Sequence, residues 1–216
     1  MRKTTRWLVS SAVLAMTFVL LAVTFVFAQG MQASAELKNN NGQVVGNATF
    51  AQQADGVHIT VQVKNLQPGK HGIHIHTIAK CDSPNFTTAG AHFNPESMKH
   101  GLQNPLGPHA GDLPNLDVSQ DGTGKMDYTN PRVTLATGAG NSLFKPNGTS
   151  LVIHANADDE MTDPTGKSGG RIACGIILAT TQPSPSFLDQ YWLVIVGVAA
   201  IAVIAAAVAV KRKKIV

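Results

Sequence analysis

Residues 57–64 have the sequence Val-His-Ile-Thr-Val-Gln-Val-Lys, in which an apolar residue alternates with a polar one. A period of two is typical of a β-strand with one buried and one exposed face. Turn-forming residues border the stretch, as Ala54-Asp-Gly56 before it and Asn65-Leu-Gln-Pro-Gly69 after it. The stretch therefore predicts one strand of a sheet.

Similar but shorter segments lie on both sides of this strand. Two β-like runs before it are separated by Asn39-Asn-Asn-Gly42, and two apolar runs after it favour buried strands. The runs lie at residues 33–38, 44–52, 151–153 and 172–178. No long helical period occurs between residues 31 and 180, so we predict an all-β domain built as a sandwich or barrel.

Residues 77–117 break this pattern, since they contain five prolines and little alternation. A long loop without secondary structure is uncommon inside a compact domain and is usually functional. Bound metal and a disulfide can order a segment that buries little apolar surface.

Both ends of the chain carry apolar segments. Residues 7–28 are uncharged and follow three basic residues, which favours a cleaved signal peptide, although an uncleaved anchor has a similar pattern. Residues 191–210 are also uncharged and precede the basic run 211–214, which predicts a transmembrane helix with a cytoplasmic C-terminus. A buried Ala-rich helix is the alternative, but it would not need four consecutive basic residues.

These segments divide the chain. We predict a signal peptide or anchor at 1–28, one domain at 29–180, a linker at 181–190, a membrane span at 191–210 and a basic tail at 211–216. The domain is then expected outside the cell membrane, held by a single pass.

The positive charge of the chain belongs to its ends. The net charge is +4, but the seven basic residues at the two ends contribute +7 and Asp189 contributes −1, so residues 29–188 carry −2. No basic stripe crosses the middle of the chain, and nucleic-acid binding has no support.

The chain has two cysteines, Cys81 and Cys174. Export to an oxidising compartment favours a disulfide between them. Two free buried thiols are the alternative.

His74 and His76 are two residues apart in the run His71-Gly-Ile-His-Ile-His76. On an extended strand, residues at this spacing point to the same face, so both imidazoles can reach one ion. Ile73 and Ile75 would face the core. Taken alone, an exposed pair of histidines would explain these two residues as well.

Further potential ligands follow along the chain. They are His92, His100, His109, Asp112 and His154. Imidazole suits copper and zinc, and three imidazoles with one carboxylate form a closed set that suits structural zinc. His154 ends the apolar run 151–153, where it can approach His74 and His76 from a neighbouring strand. The sequence therefore predicts a copper site and a zinc site.

Five motifs, in this order, resemble those of copper/zinc superoxide dismutases over residues 33–179. They are His71-Gly-Ile-His-Ile-His76, Gly90-Ala-His-Phe-Asn-Pro95 with Lys99-His100, Pro108-His-Ala-Gly-Asp-Leu113, Leu151-Val-Ile-His-Ala-Asn-Ala-Asp-Asp159 and Gly170-Arg-Ile-Ala-Cys-Gly175. The resemblance implies a Greek-key β-sandwich or flattened barrel with long metal-binding loops.

The resemblance also implies roles for single residues. Copper would be bound by His74, His76, His92 and His154, and zinc by His92, His100, His109 and Asp112. His92 would bridge the two metals and carry a proton. Asp158 would bind one histidine of each set, Arg171 would hold the anion, and Cys81 and Cys174 would form the intrachain disulfide.

The implied activity is the dismutation of superoxide to oxygen and hydrogen peroxide, by one-electron cycling of the copper beside a structural zinc. The 12 residues between Asp158 and Arg171 carry more acidic than basic charge, which departs from a loop that steers anions. The expected partners are superoxide and the membrane, with a possible homodimer. The rival hypotheses are a copper-binding or copper-delivery module without turnover and a structural or adhesive surface domain.

Overall fold

A computed structural model of the chain describes residues 30–180 and residue 196. Apart from Val196, the predicted signal peptide or anchor, linker, membrane span and basic tail lie outside the described residues. Within the described part, no helix has the length and apolar character needed to cross a membrane.

Residues 30–180 form ten β-strands and a single 3-10 turn at Thr87–Ala89. The strands are β1 (Gln32–Asn39), β2 (Val44–Gln53), β3 (Gly56–Val63), β4 (Gly69–His71), β5 (Ile73–His76), β6 (Leu116–Val118), β7 (Gly124–Asn130), β8 (Ser150–His154), β9 (Arg171–Ile176) and β10 (Leu178–Ala179). The prediction of an all-β domain is confirmed.

The strands form one sheet in the order β4-β6-β7-β3-β2-β1-β9-β8-β5, and β10 pairs with β1. The two strands at the ends of this order, β4 and β5, are separated in the chain by Gly72 alone. The sheet must therefore curve back on itself, and it forms a nearly closed barrel.

The alternation in β3 places its apolar residues inside this barrel. Val57, Ile59, Val61 and Val63 are no more than 5 % exposed and belong to the main hydrophobic core. Burying a side chain of this size contributes about 1.5–3 kcal/mol relative to leaving it in water. The apolar face that the alternation at residues 57–64 predicts to be buried is therefore buried in the structure.

The apolar run 172–178 forms two strands, β9 and β10, where the sequence predicted one. Ile177 interrupts it, because its N–H donates to the carbonyl of Thr149 at 3.1 Å. Its side chain, 3 % exposed, still joins the core.

The long loop after β5 runs along the free edge of that strand. Ile75 N–H donates to the carbonyl of Gly111 at 2.9 Å, and Phe93 N–H donates to the carbonyl of Ile75 at 2.8 Å. A Cβ at position 111 would overlap the Ile75 carbonyl oxygen, so this approach requires glycine. These contacts set two loop residues, His92 and Asp112, opposite β5.

Candidate metal centre

Strand β5 supplies the first two candidate ligands. His74 and His76 are 0 % exposed, and Ile73 and Ile75 are equally buried in the core. Strand β8 pairs with β5 on one side, and His154 is its last residue. Isolated bridges join His76 to His92 and His74 to Asp112 on the other side.

One group of four histidines has a ligand atom from each member within 4.8 Å of the others. Its members are His74, His76, His92 and His154. In each ring, one nitrogen contacts an oxygen acceptor. The acceptors are Asp158 Oδ2 at 2.7 Å, Gly90 O at 2.9 Å, Asp112 Oδ1 at 3.1 Å and Gly169 O at 3.2 Å, in the same order.

The other nitrogen of each ring is buried without a hydrogen-bond partner. These atoms are His74 Nδ1, His76 Nε2, His92 Nε2 and His154 Nε2. Buried polar atoms are rarely left unpaired in folded proteins. For His74, His76 and His154, the bound oxygen accepts the N–H and directs the lone pair of the opposite nitrogen towards the group, as in rings that bind metals. The donor set therefore fits a metal.

A second convergence surrounds Asp112. Its Oδ1 lies 3.1 Å from Nδ1 of His92, 3.1 Å from Nδ1 of His100 and 3.3 Å from Nδ1 of His109. Its Oδ2 accepts the backbone N–H groups of Gly101 and His109, both at 2.9 Å. The 3.3 Å contact of His109 Nδ1 does not have the geometry of a hydrogen bond, so this nitrogen is a further buried atom without a hydrogen-bond partner.

Mutual proximity alone gives this second group a different fourth member. The ligand atoms that all lie within 4.8 Å of one another come from His74, His92, His100 and Asp112, without His109. However, Nε2 of His74 is already bonded to Asp158, and its Nδ1 faces the first group. His109 therefore fits as the fourth donor of the second group, because no hydrogen bond occupies the lone pair of its Nδ1.

Asp158 connects the two groups. Its Oδ2 accepts from Nε2 of His74 at 2.7 Å, and its Oδ1 lies 3.0 Å from Nε2 of His100. Oδ1 also accepts the backbone N–H of Glu160 at 2.6 Å. One buried carboxylate therefore orients a ring in each group.

Arg171 opens β9 and pairs with His154 across the sheet. Its Nη1 donates to the carbonyl of Phe86 and its Nη2 to the carbonyl of Gly90, both at 2.6 Å. The guanidinium lines a pocket of about 580 Å³ together with His76, His92 and His154. A fixed positive charge therefore borders the open side of the first group.

The predicted disulfide is confirmed. Cys81 and Cys174 are bonded, with their Cα atoms 5.6 Å apart. Cys174 is 1 % exposed and packs with Phe86, Ala89 and Val152. The bond therefore ties β9 to the loop whose carbonyl groups hold Arg171.

Burial and neighbouring charges shape the titration of the rings. Burial lowers the pKa of His74 to about 3 and that of His154 to about 4. Burial alone would also lower the pKa of His100, but hydrogen bonds with Asp112 and Asp158 outweigh it and raise that pKa to about 9. At neutral pH the first group therefore offers neutral imidazoles, the form that binds metals.

Two histidines lie outside both groups. His71 is 3 % exposed, and its ring nitrogens contact the carbonyls of His154 at 2.7 Å and Gln67 at 2.8 Å. His71 is three residues before His74, and an odd number of residues along an extended chain places two side chains on opposite faces. This spacing is the sequence signal that separates His71 from the ligand face. His58 lies on the outer face of β3, 3.4 Å from Asp127.

Comparison with known proteins identifies the family. The profile described as copper/zinc superoxide dismutase (SODC) matches residues 44–177. The chain belongs to the copper/zinc superoxide dismutase family. As a member of this family, it is an enzyme of the superoxide dismutase class with copper and zinc as its cofactors, and the two groups of donors fit those metals.

Individual relatives extend over the same region. Superoxide dismutase [Cu-Zn] 1 of Aquifex aeolicus is 47 % identical over 161 residues, which cover 73 % of this chain and 95 % of that protein. Superoxide dismutase [Cu-Zn] 2 of the same organism is 46 % identical over 159 residues, 73 % of this chain and 93 % of the relative. The crystal structure of a double mutant of a SOD-like protein from Bacillus subtilis matches with a TM-score of 0.65 and 40 % identity, covering 67 % of this chain and 96 % of that one.

Proposed function

We propose that this superoxide dismutase converts superoxide to oxygen and hydrogen peroxide outside the cytoplasmic membrane. The observation that carries the proposal is the set of four buried histidine nitrogens that converge without hydrogen-bond partners. Copper, when bound there, supplies one-electron redox chemistry, whereas zinc is redox-inert and serves as a structural ion.

The two donor groups divide between the two metals. We assign His74, His76, His92 and His154 to copper. We assign His92, His100, His109 and Asp112 to zinc, because the Nδ1 atoms of the three rings converge on Asp112 Oδ1. His92 is common to both sets, since it presents Nδ1 to one and Nε2 to the other.

Arg171 binds and orients the superoxide anion. A guanidinium stays charged at working pH and has five N–H donors. The carbonyls of Phe86 and Gly90 engage both terminal nitrogens, which fixes the planar group at the pocket and leaves further donors for an anion. A charge fixed in advance needs no reorganisation when the substrate arrives.

His92 is suited to move a proton at Nε2. This nitrogen is buried and lacks a hydrogen-bond partner, and His92 lines the pocket that Arg171 borders. The opposite nitrogen, Nδ1, is held 3.1 Å from Asp112, so the ring keeps its orientation whether or not Nε2 carries a proton.

The proposed location rests on the two apolar end segments. Residues 7–28 would direct export, and residues 191–210 with the basic tail would hold the domain at the outer face of the membrane. The disulfide supports an oxidising compartment. Fractionation of cells, followed by protease treatment of intact spheroplasts, tests whether the domain is outside.

The activity is tested on the purified protein. After loading with both metals and removal of free metal with a chelator, we expect one copper and one zinc per chain by mass spectrometry and rapid loss of superoxide in a pulse-radiolysis assay. A fully metallated, folded protein that is no faster than a free-copper control would refute the enzymatic function. That result would favour the copper-delivery hypothesis, which gives Arg171 at the pocket no role.

A further inference from the structure

Asn115 forms a reciprocal pair of hydrogen bonds with the main chain of Asp158. The N–H of Asp158 donates to Asn115 Oδ1 at 2.7 Å, and Asn115 Nδ2 donates to the carbonyl of Asp158 at 2.9 Å. The same amide nitrogen lies 3.3 Å from Oε1 of Glu160. Asn115 therefore fastens the backbone of the residue that joins the two metal groups.

The carboxylate of Asp158 has little freedom once its backbone is fixed. Its two oxygens are engaged by His74 and His100, and Oδ1 also accepts the N–H of Glu160. Gly166, with φ near +59°, also lies against the carboxylate, since an added Cβ there would overlap Asp158 Oδ1. A shift of the Asp158 backbone would thus move both hydrogen bonds at once.

We propose that Asn115 is a positioning residue that acts through Asp158 on both metal sites, although its side-chain hydrogen bonds go to neither set of ligands. Carboxylates that orient ligand imidazoles typically contribute 10–100-fold to metal affinity or activity. Because one carboxylate serves His74 and His100, losing its support should weaken copper and zinc binding together. The inference rests on the proposed assignment of the two sites.

The test uses Asn115→Asp in the full-length protein. This change keeps an oxygen facing the Asp158 N–H, but it replaces the donor NH2 with an oxygen that faces the Asp158 carbonyl and Glu160. We expect at least about tenfold weaker binding of both Zn²⁺ and Cu²⁺ in competition titrations against chelators of known affinity. At full copper occupancy, the Cu(II) electron paramagnetic resonance spectrum should also change.

Asn141→Ala provides the matched control. Asn141 is also half-buried and donates from Nδ2 to a backbone carbonyl, that of Arg132, at 2.9 Å. It should keep both metal affinities within about twofold of the wild type. Asn115→Ser is the second test variant, since it removes the amide without adding charge, and it should act in the same direction.

Unchanged affinity for either metal in a folded Asn115 variant would overturn the proposal, because the coupling through Asp158 requires both to fall. If neither Asn115 variant folds while Asn141→Ala does, Asn115 is a determinant of the fold and the proposal is equally overturned. Failure of the proposed function is a separate result, since it would appear as a wild-type protein that binds both metals tightly but lacks activity.

Discussion

Removing the disulfide should destabilise the protein by a predictable amount. The bond joins residues 93 positions apart, and the chain-entropy relation for a loop of that length gives about 4.7 kcal/mol at 25 °C. Alanine is a better replacement than serine, because Cys174 is 1 % exposed and a serine hydroxyl buried there without a hydrogen-bond partner would be costly. For a domain of this size, each kcal/mol corresponds to about 2–4 °C, so Cys81→Ala/Cys174→Ala should lower Tm by roughly 10–20 °C.

Differential scanning calorimetry of the metal-stripped protein checks this value. Metals must be removed because binding to the native state adds its own stabilisation. Wild-type protein treated with a reductant should melt close to the double variant, which provides an internal control. A double variant that melts within about 3 °C of the oxidised wild type would refute the reasoning, since the cross-link would then not stabilise the fold by restricting the unfolded chain.

The same variant has a second readout. The disulfide holds the loop whose Phe86 and Gly90 carbonyls fix Arg171. We therefore expect lower activity at full metal occupancy and at a temperature where the variant is folded. Wild-type activity under those conditions would mean that the guanidinium keeps its position without the cross-link.

Three further predictions concern the site. His154→Ala should abolish activity and copper binding while zinc content stays near one per chain; equal loss of both metals would contradict the assignment. Arg171→Glu should lower the rate at least about tenfold, or about 1.4 kcal/mol, with both metals retained, and Arg171→Lys should cost less; an unchanged rate in Arg171→Glu would make the arginine structural. The metal-stripped protein should lose stability as pH falls from about 6.5 to about 4. Burial lowers the pKa of His74 to about 3 and that of His154 to about 4, whereas both rings titrate near 6.5 in the unfolded chain. The unfolded chain therefore takes up protons first, which favours unfolding. His100, with its pKa raised to about 9, changes its contribution only above pH 6.5, so a flat Tm profile between pH 6.5 and 4 would contradict this expectation.

The strands that could be predicted from the sequence are those with a consistent buried face. The alternation at 57–64 matches β3, and the runs at 33–38 and 44–52 match β1 and β2. By contrast, β4 and β6 have three residues each, too few to show a period. Their pairing joins segments more than 40 residues apart, so it depends on the closure of the barrel and leaves no local signal.

The candidate ligands were predictable because imidazole and carboxylate groups have few other reasons to recur in this order. The structure brings the four predicted copper ligands together, and it places His92, His100 and His109 around Asp112. Asp158 and Arg171 lie beside them. The contacts that hold Arg171 were not predictable, since they come from backbone carbonyls, which every residue has. Asn115 was missed for a similar reason: its partner is the main chain of a residue 43 positions away.

The pairing of β1 with β10 brings the two ends of the described domain close together. Ala33 lies opposite Ala179, so the first and last strands of residues 30–180 run side by side at this end of the barrel. Just beyond the other end of β1, Asn40 donates to the carbonyl of Arg171 at 3.4 Å. Ala33 and Asn39, near the two ends of this strand, are roughly 20 Å apart at the rise of a strand. Residues 30 and 180 therefore lie near each other, at the end of β1 that is far from the arginine. A tag or surface linkage placed there should leave the entrance of the pocket open to small anions from solution.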